Sequence, residues 1–264
     1  MLAYSLDLYT AHDSPIHHLA PGVKLILSVL SLVAIAATPD GAWPAYVVLA
    51  VLLAWATIVS GVPLGLVLGR GAASAPFALA ALTVLFTTPG QPLADFDVLG
   101  ADLLVTQAGL VRFVSILLKS WLSVQVAVLL TATTRFPELL RAMRGLGVPA
   151  VLVATARVAY RYLAVVGDEA LRLLRARAAR QATVDGGGPG VLWRARVTGG
   201  MAGSLFVRSI DRSQRVYQAM LARGYDGDVR LLPTAAANLR DGAIILLIAV
   251  LLIGIQILAR VVWI

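Results

Sequence analysis

Apolar stretches close to the length of a bilayer, separated by short polar breaks, fill the first 134 residues and return after Asp241. A membrane helix needs about 20 mostly apolar residues to cross a hydrocarbon core about 30 Å thick. Five stretches meet or approach that length. The first follows Lys24 and runs through LILSVLSLVAIAAT to Pro39. The second covers about Trp43 to Val59. The third lies between Arg70 and Pro89 and contains Pro76. The fourth runs from about Phe113 to Thr133 and contains Lys119. The fifth follows Asp241 through IILLIAVLLIGIQIL, before Arg260 and Trp263. The pattern predicts an all-α polytopic membrane protein with about five transmembrane helices. The short apolar stretch Leu64–Leu68 fits an interfacial helix or part of the third span.

Between Arg135 and Arg240 the pattern changes. Two runs, Gly145 to Ala156 and Val197 to Val207, are uncharged but too short to span. Three helical pieces are expected. A short one follows Arg135 in RFPELLRAMRGLGVP, with Pro137 at its start and Gly145 to Pro149 ending it. A long one follows Pro149 and reaches about Gln181. A second long one runs from about Val197 to Arg223, with Gly224 placed as its C′ residue. The glycine-rich linker from Asp185 to Gly190 separates them. The expected organisation is a membrane domain at 1–134, cytoplasmic helices at 135–240 and a final span at 241–264.

Composition supports the membrane reading. Only 14% of the 264 residues are charged and 59% are hydrophobic, where a soluble domain carries about 25% charged residues. The net charge of +8 is compatible with anionic partners, but so apolar a chain is not expected to be a nucleic-acid binding module. The chain has no Cys, which removes disulfides, thiolate metal sites and cysteine nucleophiles. The first residues lack the basic region of a signal peptide, since Asp7 and Asp13 precede Lys24.

Charge also sets the expected orientation. The section from Arg135 to Arg240 holds 17 of the 22 Lys and Arg residues against seven Asp and Glu, which marks it as cytoplasmic. The loop carrying Asp95, Asp97 and Asp102 then lies outside. Lys24, Arg70 and the N-terminus lie inside, and the C-terminus outside.

The two long helices end alike. Arg172, Ala176, Ala179 and Arg180 align with Arg215, Ala219, Ala222 and Arg223. Arg208, Arg212, Arg215 and Arg223 share one helical stripe, and Gly199 and Gly203 permit a close helix crossing. Two readings are open for these arginines. They solvate a cytoplasmic face or touch anionic headgroups, or each helix presents a terminal Arg to a partner protein, for which its planar, weakly hydrated fork is suited.

Ala222-Arg223-Gly224, followed by Tyr225-Asp226-Gly227, resembles the second coupling motif of the transmembrane (T) components of energy-coupling-factor (ECF) transporters. Ala179-Arg180-Gln181 resembles the first, with Gln181 in place of the usual Gly. The segment from Arg135 to Pro149, including Phe136, Pro137, Leu140, Met143, Arg144 and Gly145, resembles the coupling segment of that family. Asp7-x-Tyr9 and Ser14-Pro-Ile-His-His-Leu-Ala-Pro-Gly-Val-Lys-Leu25 resemble the N-terminal segment of its cobalt-type member family, CbiQ. His18, Ala20 and Gly22 stand where charged residues are frequent. The resemblance implies a non-catalytic subunit of the bacterial inner membrane. Its partners would be two ABC-type ATPase subunits and a cobalt-type substrate-capture subunit, with Co²⁺ or Ni²⁺ as cargo and a vitamin as the alternative. The terminal Arg of each of two crossing helices would enter an ATPase groove. No catalytic residue, cofactor or resident metal is implied.

Other constellations carry less. His12, His17 and His18 with Asp7 and Asp13 match no strong ligand spacing and are expected to be structural or interfacial. Lys119 in the fourth span is costly unless it snorkels or finds a partner; near the outer end, snorkelling is expected. No Gly-Lys-Ser or Gly-Lys-Thr follows the glycine runs, so neither is a phosphate loop. An ordinary ABC importer permease would carry a Glu-Ala-Ala segment with a downstream Gly, which Glu169-Ala170 matches poorly. A membrane-embedded enzyme would need intramembrane acids, histidines or a nucleophile pair, which the spans scarcely offer.

Overall fold

The computed structural model describes residues 9–10, 12–98, 101–180, 190–227 and 239–263. These form two compact units. One reaches up to Ala142 and includes the C-terminal helix. The other begins at Met143 and holds the two long helices.

The first unit is the membrane bundle. α1 (Pro15–His18) and α2 (Pro21–Ala37) are followed by α3 (Trp43–Ser60), each with Pro in its first turn, where the missing N–H costs nothing. α4 (Leu64–Arg70), a 3₁₀ turn (Gly71–Ser74) and α5 (Ala75–Thr87) run on as one interrupted span. Leu64–Leu68 therefore belongs to the third span. The tight turn lies just before Pro76, whose ring opposes the carbonyl of Ala72 and which has no N–H to give it. α6 (Gln107–Thr133) is the long central helix, capped by Thr106 Oγ1, which accepts from Gly109 N at 3.0 Å. α7 (Phe136–Gly145) leaves its end, and α10 (Leu239–Trp263) closes the bundle.

α6 packs against α2, α3 and the interrupted span, and α10 packs against α2 and α3. Their shared core contains Ile35, Tyr46, Leu49, Leu122, Val126 and Leu252. Gln256 adds a polar tie, donating Nε2 to Ala34 O at 2.6 Å and to Thr38 Oγ1 at 2.9 Å. Gly71 sits where α6 comes closest: a Cβ there would lie 2.7 Å from Trp121 Nε1 and 2.9 Å from Gln125 Nε2. The outward faces stay apolar, with Val33, Val51, Trp55, Leu79, Leu247 and Ile253 exposed, as a lipid-facing surface requires.

Among the described residues, five helices are long and apolar enough to cross a membrane: Trp43–Ser60, Gly65–Thr87, Gln107–Thr133, Ala150–Arg180 and Leu239–Val261. The helical, polytopic class expected from the sequence holds, with a different membership. Pro21–Ala37 has 17 residues, about 25 Å of helix, at the short end for a span. Ala150–Arg180 qualifies because its first half is apolar despite Arg157 and Arg161. Among the described residues, one short hairpin lies between α5 and α6. β1 (Pro92–Val98) pairs antiparallel with β2 (Ala101–Thr106), Asp97 opposite Asp102, in the acidic loop that the sequence reading left without structure.

Lys119 does not rely on snorkelling. Its Nζ lies 2.8 Å from Asp40 Oδ1, and Arg112 Nε lies 3.7 Å from Asp40 Oδ2. The partner comes from the loop after α2, 79 residues away in sequence, so spacing within the fourth span gave no sign of it.

The second unit contains the end of α7, α8 (Ala150–Arg180) and α9 (Val191–Ala222). α8 matches the expected bounds. α9 starts six residues earlier than expected, at the turn after Gly190, because the stretch Leu192–Arg196 is made of residues compatible with helix.

Candidate functional site

α7 ends in a cap that directs the chain into α8. Gly147 has φ +95°. Its N–H donates to Arg144 O at 3.1 Å, and Val148 N–H donates to Met143 O at 3.1 Å. This pair of bonds is a Schellman motif. Pro149 follows, and its carbonyl accepts from Leu152 N and Val153 N to start α8. Of the expected coupling segment, Met143 and Arg144 thus supply capping carbonyls. Phe136 and Gly145 are exposed, Pro137 sits in the first turn, and Leu140 is buried.

α8 and α9 run antiparallel past one another, tied by polar side chains. Glu169 of α8 accepts from Arg172 on its own helix at 2.5 Å and from Arg208 Nη1 of α9 at 2.9 Å. Farther along, Arg177 Nη1 donates to Thr198 Oγ1 at 2.9 Å. The sequence advances from 169 to 177 on one helix while it falls from 208 to 198 on the other, which sets the antiparallel sense. A cleft of about 190 Å³ beside this tie is lined by Val166, Glu169, Leu205, Arg208, Arg212 and Arg215. Gly199 and Gly203 do not make the crossing: a Cβ at either would meet nothing within 4 Å. Arg177 and Arg208 bridge the helices instead.

The two candidate motifs lie at the far ends of this pair. Arg180 is the last residue of α8, and it and Ala179 are exposed. Gln181 lies outside the described residues. α9 ends at Ala222 in a second Schellman motif. Gly224 has φ +80°, its N–H donates to Leu221 O at 2.9 Å, and Tyr225 N–H donates to Met220 O at 3.0 Å. Arg223 occupies the C-cap, with Ala222, Arg223 and Gly224 all exposed. Neither Arg180 nor Arg223 is ion-paired to a described residue. From the Glu169–Arg208 tie, α8 continues 11 residues to Arg180 and α9 continues 15 to Arg223 in the opposite sense. At 1.5 Å per residue the two arginines stand up to about 39 Å apart. They do not converge on one pocket. The arrangement offers two separate charged tips at opposite ends of one braced pair.

Glu169 is the residue that sequence reasoning missed. It entered only as a poor match to a permease motif, yet it joins both helices. Its i, i+3 spacing to Arg172 was the available signal; the link to Arg208 spans 39 residues and had none. His17 and His18 find local partners. His18 Nε2 lies 2.6 Å from Asp13 Oδ1, and His17 bonds Ser14 and the Thr10 carbonyl.

A bundle of helices with apolar outer faces, joined to a braced, arginine-tipped helix pair, is that of a multi-pass membrane protein. The sequence profile of the cobalt transport protein family, CbiQ, matches residues 12–234, and the chain belongs to this family. Among its relatives, an uncharacterized protein of Methanocaldococcus jannaschii is 29% identical over 61% of this chain and 53% of its own length. The cobalt transport protein CbiQ of Rhodobacter capsulatus is 33% identical over 47% of this chain and 49% of its own. The chain spans about half the length of each of these two. The energy-coupling factor transporter transmembrane protein EcfT of Thermanaerovibrio acidaminovorans is 29% identical over 85% of this chain and 84% of its own.

Proposed function

We propose that this chain is the transmembrane coupling subunit of an ECF-type ABC importer. It passes the conformational change of two ATPase subunits to a substrate-capture membrane subunit for uptake of Co²⁺ or Ni²⁺. The observation that carries the reading is the pair of exposed helix-end arginines at opposite ends of α8 and α9, two equivalent tips for two equivalent partners. The cobalt transport family profile and the relatives from Rhodobacter capsulatus and Thermanaerovibrio acidaminovorans support the transport class, and the profile and the first of these relatives support the metal cargo. In this reading residues 135–240 lie in the cytoplasm of a bacterial cell, and residues 1–134 and 241–264 carry the spans. Apolar side chains left exposed on α8 and α9, among them Val151, Leu152, Leu163, Phe206, Val207 and Ile210, give the capture subunit and the bilayer surface an area to cover. The chain is a non-catalytic subunit, and ATP binding by it alone would count against the proposal.

Charge reversal tests the docking. In Arg180→Glu with Arg223→Glu, each tip would bring the wrong charge into its groove. Loss of one partner of a buried, hydrogen-bonded charge pair costs about 2–5 kcal/mol, about 30-fold to several thousandfold in affinity. The ATPases should fail to co-purify with the double variant while membrane insertion is normal. Reversal of Arg194 and Arg196, exposed in the first turns of α9 outside both motifs, should do much less. Equal and mild losses from both pairs would leave the arginines as a solvated face.

A further inference from the structure

A helix leaves its last four carbonyls without intrahelical donors. α6 ends at Thr133, and Thr134 departs extended at φ −137°, ψ 126°, so no left-handed cap closes it. The donors come from the N-terminal segment instead. Thr10 gives its backbone N–H to Ala132 O at 3.1 Å and its hydroxyl to the same oxygen at 3.4 Å. Lys24 gives Nζ to Thr133 O at 2.9 Å and to His17 O at 3.3 Å. Lys24 is only 6% exposed, and Ala132, Thr133 and Thr134 are 3% or less.

The contacts continue across the bend. Arg135, next in the chain, lays its guanidinium over the Tyr9 ring at 4.8 Å. Tyr9 meets His17 edge-on at 5.8 Å, and His17 is bonded to Thr10 O at 3.1 Å and Ser14 Oγ at 2.7 Å. The Arg135 carbonyl accepts from Glu138 N and Leu139 N and so starts α7. Two residues, Thr134 and Arg135, are all that separate the central membrane helix from the helix that opens the coupling segment. The N-terminal segment grips both sides of them.

A buried ammonium is expensive unless its donors are used. Here it faces the negative end of a helix, where a cation is favoured. We propose that Lys24 is a positioning residue for coupling: seated on the last carbonyl of α6, it locks the Thr134–Arg135 elbow so that α7 moves with the membrane bundle instead of hinging freely. The inference rests on the coupling role proposed above. A loose elbow would absorb ATPase motion, and hydrolysis would continue with little transport.

The absence of Cys makes the test clean. Spin labels are placed at Thr131→Cys, exposed on α6, and Gly145→Cys, exposed and with nothing within 4 Å of its Cβ position. The interlabel distance distribution of the full chain is measured in nanodiscs. Lys24→Met keeps the apolar stem and removes the donor; Lys24→Arg keeps the cation. The distribution should be narrow in the unmodified chain and in Lys24→Arg, and broad in Lys24→Met. With the ATPase and capture subunits present, Lys24→Met should lose about 10- to 100-fold in transport per ATP hydrolysed, the worth of a charged hydrogen bond, here the one of its two that holds Thr133 O. ATPase co-purification should be unchanged. An unbroadened distribution in Lys24→Met overturns the proposal, and so does broadening with transport per ATP intact. If Lys24→Met fails to insert, Thr10→Pro, which removes both the N–H and the hydroxyl that reach Ala132 O, is judged by the same two criteria. The label measurement needs no partner protein. Failure of the unmodified chain to bind ATPases would therefore refute the coupling role separately, while the elbow is still decided.

Discussion

Gly224→Ala isolates what the backbone contributes to presenting Arg223. At φ +80° the position is left-handed, and nothing lies within 4 Å of a Cβ built there. The substitution is therefore strained by conformation alone. Holding an L-residue in that region costs about 1–2 kcal/mol. The chain can escape by unwinding the cap, but this gives up the bonds from Gly224 N to Leu221 O at 2.9 Å and from Tyr225 N to Met220 O at 3.0 Å. Each is worth about 1 kcal/mol net. Either route costs about 1–2 kcal/mol, and docking that requires the capped geometry weakens about 5- to 30-fold. Asn tolerates the left-handed region better, so Gly224→Asn should lose less than Gly224→Ala. Gly242→Ala, in a membrane helix with open space around it, should leave docking unchanged. The assay is titration of the ATPase subunits onto the chain in nanodiscs. If Gly224→Ala binds as tightly as the unmodified chain, the cap does not set the presentation of Arg223.

Three further outcomes are expected. Gly71→Ala puts a methyl 2.7 Å from Trp121 Nε1 and 2.9 Å from Gln125 Nε2; overpacking of this kind costs about 1–3 kcal/mol, and the melting temperature in detergent should fall, whereas no change would mean that α6 is not this close to the third span. Glu169→Ala removes two charge-assisted bonds at a partly exposed site; solvent screens such pairs, so amide exchange around Arg208 should quicken only modestly, and exchange at an unchanged rate would deny the tie. A single Cys at Asp97 should react with an impermeant thiol reagent from the periplasmic side and one at Asp185 should not; the reverse pattern would invert the orientation and remove the docking site from the cytoplasm.

Much of this was legible in local pattern, and what was not depended on distant partners. Gly224 was readable as a cap because a glycine after an apolar-periodic helix has one common use there. The break in the third span was foreshadowed by Pro76 but could not be placed, because the same apolar letters suit a continuous helix, an interfacial helix or a 3₁₀ turn. Ala150–Arg180 meets the length and composition of a span, and the sequence assigned it to the cytoplasm on charge; hydropathy alone does not separate the two. Gly199 and Gly203 suggested close packing by their spacing, yet they face open space, since the crossing is set by side chains on other residues. Lys24 looked like a flanking cation and is a buried donor to a residue 109 positions away. The acidic loop hid its hairpin because the alternation in Pro92–Val98 is short and carries Pro92, Asp95 and Asp97, residue types depleted in strands.

The central claim is that Arg180 and Arg223 each enter a partner ATPase, and site-directed photocrosslinking tests it most directly. A photoreactive residue replaces Arg180, Arg223 or, as a control, Arg194, one at a time, in the chain expressed with its ATPase and capture subunits. The account predicts that probes at 180 and 223 each join an ATPase subunit while the probe at 194 does not. Because the two tips stand up to about 39 Å apart on oppositely directed helices, a chain carrying both probes should capture two ATPase subunits at once. Crosslinking of 180 and 223 to lipid or to the capture subunit, with no ATPase adduct from either, would contradict it.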